Sequence, residues 1–99
     1  GSFANWWQPA DAEGFKGKTT MLVEQFDAYE ALAGKNVNGN LTLGENIADL
    51  GGLTVAHAAM LAAQGPGYTD PMVDGMTQDQ RFFANWATVW RRNYTDKEM

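Results

Sequence analysis

Two carboxylates four residues apart, Glu45 and Asp49, are the first side chains of this sequence whose spacing could do chemistry. On a helix, positions i and i+4 share a face, so both carboxylates would point the same way. Two like charges at this spacing destabilise a helix by roughly 0.2–0.5 kcal/mol, unless a cation or a protonated imidazole lies beside them. The pair indicates either a site for a positive partner or, more simply, a Glu45 that caps its helix and a solvated Asp49.

Other catalytic side chains are few. His57 is the only histidine, and it lies eight residues after Asp49. Eight helical positions rotate it about 80° away from that carboxylate. A lone histidine on an Ala-rich helix is most often packed or half exposed, so we expect no catalytic role for His57. Ser2 is the only serine, and its place in the N-terminal tail argues against Ser-His-Asp catalysis.

The composition excludes several classes of protein. The 99 residues carry 7 basic and 12 acidic side chains, a net charge of −5, and no cysteine. We therefore expect one domain, no disulfide framework, no thiolate metal site and, with one histidine, no self-contained His-rich zinc site. No basic patch favours nucleic acid, and no run approaches the ~20 apolar residues that a membrane helix needs. The N-terminus lacks the pattern of a signal peptide and begins without Met, which predicts a processed or excised piece.

Three helices, separated by two turn-rich stretches, are predicted to position these residues. Apolar spacings of 7, 4 and 3 from Phe15 to Tyr29 predict the first helix over about Pro9–Leu32. Asn38-Gly39 then predicts a hairpin turn, with flanks too short for more than a β-bridge.

The second helix, over about 42–64, is predicted to begin at Thr42, because Thr42 and Glu45 have the spacing of a capping box. A line of small residues follows along it: Ala48, Gly52, Ala56, Ala59 and Ala63. Such a line allows another helix to approach closely, and ordinary tight packing is its simplest explanation.

After a loop rich in Gly and Pro, a third helix is predicted over about 77–93. Thr77 and Gln80 again have capping-box spacing. The helix carries an aromatic face: Phe82, Phe83, Trp86, Val89 and Trp90. The chain's four tryptophans, which include the pair Trp6-Trp7, could form a ligand cage, but we expect them to be core anchors of a small helical unit.

The string from Gly44 to Leu53, GENIADLGGL, resembles the GENIAD segment of the neprilysin family of zinc metallopeptidases. The likeness extends to Asn5-Trp6-Trp7, to Val37-Asn38-Gly39 and to Phe82-Phe83 with the Val89-Trp90 pair after it, in the order and spacing of that family. The resemblance covers nearly the whole chain. It implies an all-α piece, three main helices with a short Asn-Gly turn, of a larger and mainly helical zincin-type catalytic domain.

The resemblance also implies roles for four residues. Glu45 would be the third zinc ligand, beside two histidines of an HExxH helix. Asp49 would orient one of those histidines by accepting its hydrogen bond. Val89 and Trp90 would line the pocket for a large apolar substrate side chain just after the scissile bond. The implied reaction is zinc-assisted peptide hydrolysis.

The HExxH motif and the family's later segment with a catalytic His and Arg are both missing from these 99 residues. The resemblance therefore implies a fragment that is inactive alone and without zinc, although the intact enzyme would hold one ion. We expect exposed apolar surface where the HExxH helix packed, and self-association through it. The lack of cysteine favours a bacterial origin. The compartment stays open between the cytoplasm and export.

The alternative is a non-enzymatic helical module whose aromatic face binds a partner peptide. The surrounding gene distinguishes the two, because only the peptidase needs an HExxH motif upstream.

Overall fold

The computed structural model describes residues 3–98, which form three α-helices and one small sheet. The elements are α1 (Pro9–Asp27), β1 (Glu30–Leu32), β2 (Lys35–Asn36), α2 (Leu43–Gln64) and α3 (Gln78–Val89). The chain divides into two compact units, Gly1–Asp49 and Leu50–Met99. The predicted all-α class with three main helices is confirmed. Ser2, the serine considered above, lies outside the described residues.

The first helix ends at Asp27 and not at Leu32 as predicted. The amides of Ala28 and Tyr29 donate to the carbonyls of Gln25 and Phe26, three residues back, which tightens and closes the last turn. Tyr29 nevertheless packs edge-on against Phe26, with ring centroids 5.2 Å apart. That contact continues the helical spacing beyond the end of the helix, which explains why the apolar period overestimated its length.

The hairpin turn lies at Ala33-Gly34 and not at Asn38-Gly39 as predicted. β1 and β2 are antiparallel, with Glu30 opposite Asn36 and Leu32 opposite Lys35. Gly34 has a φ of +73°, a conformation that favours glycine, and its amide donates to the Glu30 carboxylate.

Gly39 instead makes a close contact with the end of α1. It is buried, and its amide donates to Asp27 Oδ1 over 2.6 Å. A Cβ atom on Gly39 would lie 2.3 Å from the carbonyl oxygen of Val23. Asn36 Nδ2 donates to the Asp27 carbonyl over 2.8 Å, so two hydrogen bonds join the segment before α2 to the last residue of α1.

In the second unit, the loop before α3 is well organised. Asp74 and Gly75 both have positive φ and form a tight turn closed by a bridge between Val73 and Met76. Arg81 Nη1 donates to the Met76 carbonyl over 2.7 Å. The turn and the Arg81 hydrogen bond therefore hold this loop in one conformation up to the start of α3.

The third helix ends at Val89, whereas the prediction ran to about 93. The amides of Trp90 and Arg91 donate to carbonyls three residues back, Ala87 and Thr88, and this tighter turn closes the helix.

Within residues 3–98 no hydrophobic side chain is buried. The expectation that the tryptophans anchor a core is therefore wrong for this part of the chain: Trp6 is 80% exposed and Trp90 54%. Large apolar side chains of α2 are exposed as well, among them Leu50 and Val55. No helix in the described range is long and apolar enough to cross a membrane.

The close approach at Gly39 predicts that Gly39→Ala destabilises the chain by about 1–3 kcal/mol, because a backbone oxygen must move to admit the methyl group. Urea unfolding followed by circular dichroism measures the change. The matched control is Gly17→Ala in α1, where a Cβ meets nothing within 4 Å and helix propensity should instead add up to ~1 kcal/mol. Equal effects of the two substitutions would contradict the role given to Gly39.

Candidate functional site

Glu45 is the third residue of α2 and lies exposed in the helix's first turn. Asn38, next to the buried Gly39, fixes where that helix begins. Its carbonyl accepts from the Thr42 amide over 3.2 Å, and its side-chain oxygen accepts from the Leu41 amide over 3.1 Å. The contact with α1 thus leads, through one turn of chain, to the position of Glu45.

The capping box predicted between Thr42 and Glu45 is wrong. The Thr42 hydroxyl donates to the Asn38 carbonyl over 3.3 Å and accepts from Asn46 Nδ2 over 3.0 Å. Among the hydrogen bonds and ion pairs of residues 3–98, none involves the carboxylate of Glu45 or of Asp49. The simpler interpretation, in which Glu45 is used as a cap, therefore loses its basis.

The two carboxylates are open to a ligand. Glu45 is exposed and Asp49 half exposed, one helical turn apart on one face of α2. The positive end of the helix dipole favours a negative charge at Glu45. Carboxylate oxygens are accepted zinc donors, but a protein zinc site takes three or four protein ligands. The described residues hold no group of three or more His, Cys, Asp or Glu side chains that could bind a metal. This donor set can therefore fill one position of a zinc site and cannot complete such a site.

The start of α3 shows the capping box that the sequence predicts. The Gln80 amide donates to Thr77 Oγ1 over 3.2 Å, and the Thr77 amide donates to Gln80 Oε1 over 2.8 Å. Asp70 adds a second acceptor, because its carboxylate receives the Gln78 amide over 3.0 Å. The N-terminus of α3 is therefore held by side chains from both the cap and the loop.

The far end of α3 presents the two residues expected to line a substrate pocket. Val89, the last helical residue, is 70% exposed, and Trp90 follows it directly. The Trp90 ring meets that of Trp86 edge-on, with centroids 6.2 Å apart. Both side chains therefore expose apolar surface, and the Trp90 ring is supported by its contact with the Trp86 ring.

His57 is packed and half exposed, and it has a partner that the sequence did not indicate. Its Nε2 lies 2.8 Å from Asp79 Oδ1. Its ring stacks on Phe83 and meets Phe82 edge-on, with centroid distances of 5.7 and 5.5 Å. His57 therefore joins α2 to α3 within the second unit.

Comparisons with known proteins identify the family of this chain. The model of peptidase family M13 matches residues 1–99. This chain belongs to peptidase family M13. It is 42% identical to endothelin-converting enzyme 1 of Bos taurus over 93 residues, which are 91% of this chain and 12% of that protein. It is 36% identical to human membrane metallo-endopeptidase-like 1 over 98 residues, which are 95% of this chain and 13% of that protein.

A solved structure agrees with the fold. The cryo-EM structure of the Mycobacterium tuberculosis zinc metalloprotease Zmp1 in its open state matches 99% of this chain with a TM-score of 0.79 and 38% identity. The match covers 16% of that protein. The chain thus spans about an eighth to a sixth of the length of these relatives.

Some contacts of this M13 chain could not be found by sequence spacing. His57 and Asp79 are 22 residues apart, and Asp70 lies eight residues before the amide that it accepts. In the sequence, Asp79 resembles any acidic residue in the first turn of a helix, and Asp70 resembles any acidic residue of a loop. No motif connects either of them to its partner. An acidic residue close to a predicted helix start was the one available indication.

The N-terminal aromatic residues line an open groove of about 440 Å³ beside α1. Trp6 and Trp7 have ring centroids 5.0 Å apart, and Trp7 and Phe15 5.3 Å. Asp11 and Lys18 lie at the groove with opposite charges. These rings form an exposed aromatic ladder and not a core, and self-association of the 99-residue chain stays a prediction.

The capping box predicts different effects for threonine-to-alanine substitutions at two places in α3 and its cap. Thr77→Ala removes the cap of α3 and should cost about 1 kcal/mol of helix stability. Thr88→Ala, which removes a hydroxyl bonded to the Ala84 carbonyl inside the same helix, should leave helicity equal or slightly higher. Thermal melts followed by circular dichroism test both. Equal melting of the two variants would show that the cap does not hold α3.

Proposed function

We propose that this chain is the part of a zinc-dependent endopeptidase that supplies the third zinc ligand and part of the substrate pocket. The observation that carries the proposal is the unpartnered Glu45 carboxylate in the first turn of α2. It lies in a chain whose whole length matches peptidase family M13. The name of the structural neighbour, a zinc metalloprotease, supports zinc as the metal.

In this proposal Glu45 and Asp49 have different tasks. Glu45 gives a carboxylate oxygen to the metal. Asp49, one turn later, accepts a hydrogen bond from a metal-ligating histidine and so fixes the orientation of that imidazole. When held by these residues and the histidines, zinc would supply Lewis-acid chemistry, polarising the substrate carbonyl and lowering the pKa of a bound water. The helical spacing explains why two like charges are tolerated, since each has a separate positive partner.

The substrate preference is proposed from α3. Val89 and Trp90 present exposed apolar surface, and burying a large apolar side chain against such surface contributes about 1.5–3 kcal/mol. We expect cleavage on the N-terminal side of large apolar residues, with that residue held against Val89 and Trp90.

The isolated 99 residues are proposed to be inactive. A catalytic zinc site takes three protein ligands, and the one histidine of this chain is hydrogen-bonded to Asp79. The complete protease needs imidazoles from outside this segment to retain its metal.

Zinc content is the direct test of the two carboxylates. In the complete protease, Glu45→Ala should abolish zinc retention and peptide cleavage, because one of three ligands is lost. Asp49→Asn should keep the ligand set but weaken zinc affinity about 10–100-fold. Metal analysis after dialysis against a graded chelator measures both. Glu24→Ala, an exposed glutamate of α1, is the matched control. Stoichiometric zinc in Glu45→Ala would refute the assignment of the ligand.

The pocket is tested by selectivity. In the complete protease, Trp90→Ala should lower kcat/KM about tenfold or more for a peptide with Phe after the scissile bond, and much less for the matching Ala peptide. Tyr68→Ala, an exposed aromatic residue of the loop, serves as the control. If both peptides lose activity equally, Trp90 does not contact the substrate side chain.

A further inference from the structure

The contacts of His57 are concentrated on one short stretch of α3. Its Nε2 donates to Asp79 Oδ1 over 2.8 Å, since an ionised carboxylate can only accept. Its ring lies against Phe82 and Phe83, which themselves meet edge-on at 5.1 Å. One side chain of α2 thus contacts three residues in the first half of α3. All of them belong to the unit Leu50–Met99.

The surroundings of His57 are loosely packed. A cavity of about 240 Å³ lies beside its ring, lined by Leu50, Leu53 and Phe83 among others. The His57 side chain is 25% exposed and that of Asp79 56%. Within the unit Leu50–Met99, the directional contacts of His57 therefore act beside apolar packing in setting the direction of α3.

Because α3 extends beyond these contacts, a small rotation of the helix near His57 produces a larger displacement of Val89 and Trp90 at its other end. Ten residues separate Asp79 from Val89, which is about 15 Å along a helix. A rotation of about 10° about the Asp79 end would move the far end by nearly 3 Å. Misplacement by about 1 Å can cost a reaction on the order of 10²-fold.

We propose that His57 is a positioning residue: its hydrogen bond to Asp79 and its stacking on Phe82 and Phe83 orient α3 so that Val89 and Trp90 meet the substrate side chain. This inference rests on the proposed function, because it assumes that Val89 and Trp90 line a substrate pocket. His57 itself touches neither substrate nor metal in this role.

Four single substitutions separate the ring from the hydrogen bond. His57→Phe keeps a ring but removes the donor, and His57→Gln keeps a donor but removes the ring. Asp79→Ala removes the acceptor, whereas Asp79→Asn keeps an acceptor without the charge. Asp74→Asn, at the exposed turn in the loop before α3, controls for the loss of one negative charge.

The readout in the complete protease is the ratio of kcat/KM for a Phe peptide to that for the matching Ala peptide, with zinc content measured beside it. His57→Phe and Asp79→Ala should each lower this ratio about 3- to 10-fold with zinc unchanged, as expected for a loosened apolar pocket. The double variant should be no worse than the more damaging single one, because both remove the same contact. Asp79→Asn and Asp74→Asn should stay within about twofold of wild type.

A second measurement needs no activity. In the complete protease, the imidazole resonances of His57 are identified by their absence from the spectrum of His57→Phe. Its ring protons should show contacts to Phe82 and Phe83 in NMR spectra and move when Phe83 is changed to Leu. Missing contacts would overturn the proposal even in an active protease.

The kinetic outcomes also separate the two proposals. A wild-type protease without zinc-dependent cleavage would refute the proposed function, and the positioning role with it. An active wild type whose selectivity is unchanged in His57→Phe and Asp79→Ala, or whose double variant multiplies the single effects, would refute the positioning role alone.

Discussion

The contact between Gly39 and the end of α1 is the constraint on which the placement of the candidate metal ligand depends. Only a residue without a Cβ fits there, because that atom would lie 2.3 Å from the Val23 carbonyl oxygen. Asp27 then holds the Gly39 amide, and Asn38 sets the first turn before α2. The contacts of Gly39 and Asn38 therefore set the position of Glu45, and its own carboxylate makes no contact that does so. The candidate ligand is thus positioned by backbone neighbours, which leaves its carboxylate oxygens available.

The two helix starts show how identical spacing can lead to different structures. Thr77-x-x-Gln80 closes a full capping box, whereas Thr42-x-x-Glu45 does not. The difference lies in the neighbours of Thr42, since Asn38 and Asn46 occupy its hydroxyl. The Glu45 carboxylate does not cap the helix, and the positive end of the helix dipole stabilises its negative charge without a hydrogen bond. This division favours a peptidase role for Glu45 over a purely structural one, and family membership favours the peptidase over a peptide-binding module.

Patterns of neighbouring residues in the sequence predicted the features that depend on neighbouring residues, namely the helices and the spacing of the candidate site. Apolar periodicity predicted α1, and capping-box spacing predicted where α2 and α3 begin. The i, i+4 spacing and then the GENIAD string pointed to Glu45 and Asp49. The same reasoning misplaced the hairpin, because Asn-Gly satisfies a turn and a close contact equally well and only the position of α1 decides between them. It also missed the link from His57 to Asp79, since side chains 22 residues apart meet through the packing of two helices. The roles of Val89 and Trp90 came from the resemblance, not from any pattern in their spacing.

Within residues 3–98, which span about an eighth to a sixth of the length of the M13 relatives, polar and ring contacts join the elements of each unit. With no hydrophobic side chain buried between residues 3 and 98, little apolar area is available to fix one helix on another. An exposed pair such as His57 and Asp79 is worth only ~0–1 kcal/mol, so it adds little stability. Its value is directional, because a hydrogen bond and two ring contacts restrict the angle of α3 more narrowly than apolar surface does. Orientation at the proposed substrate pocket and stability of the chain can therefore be governed by different residues.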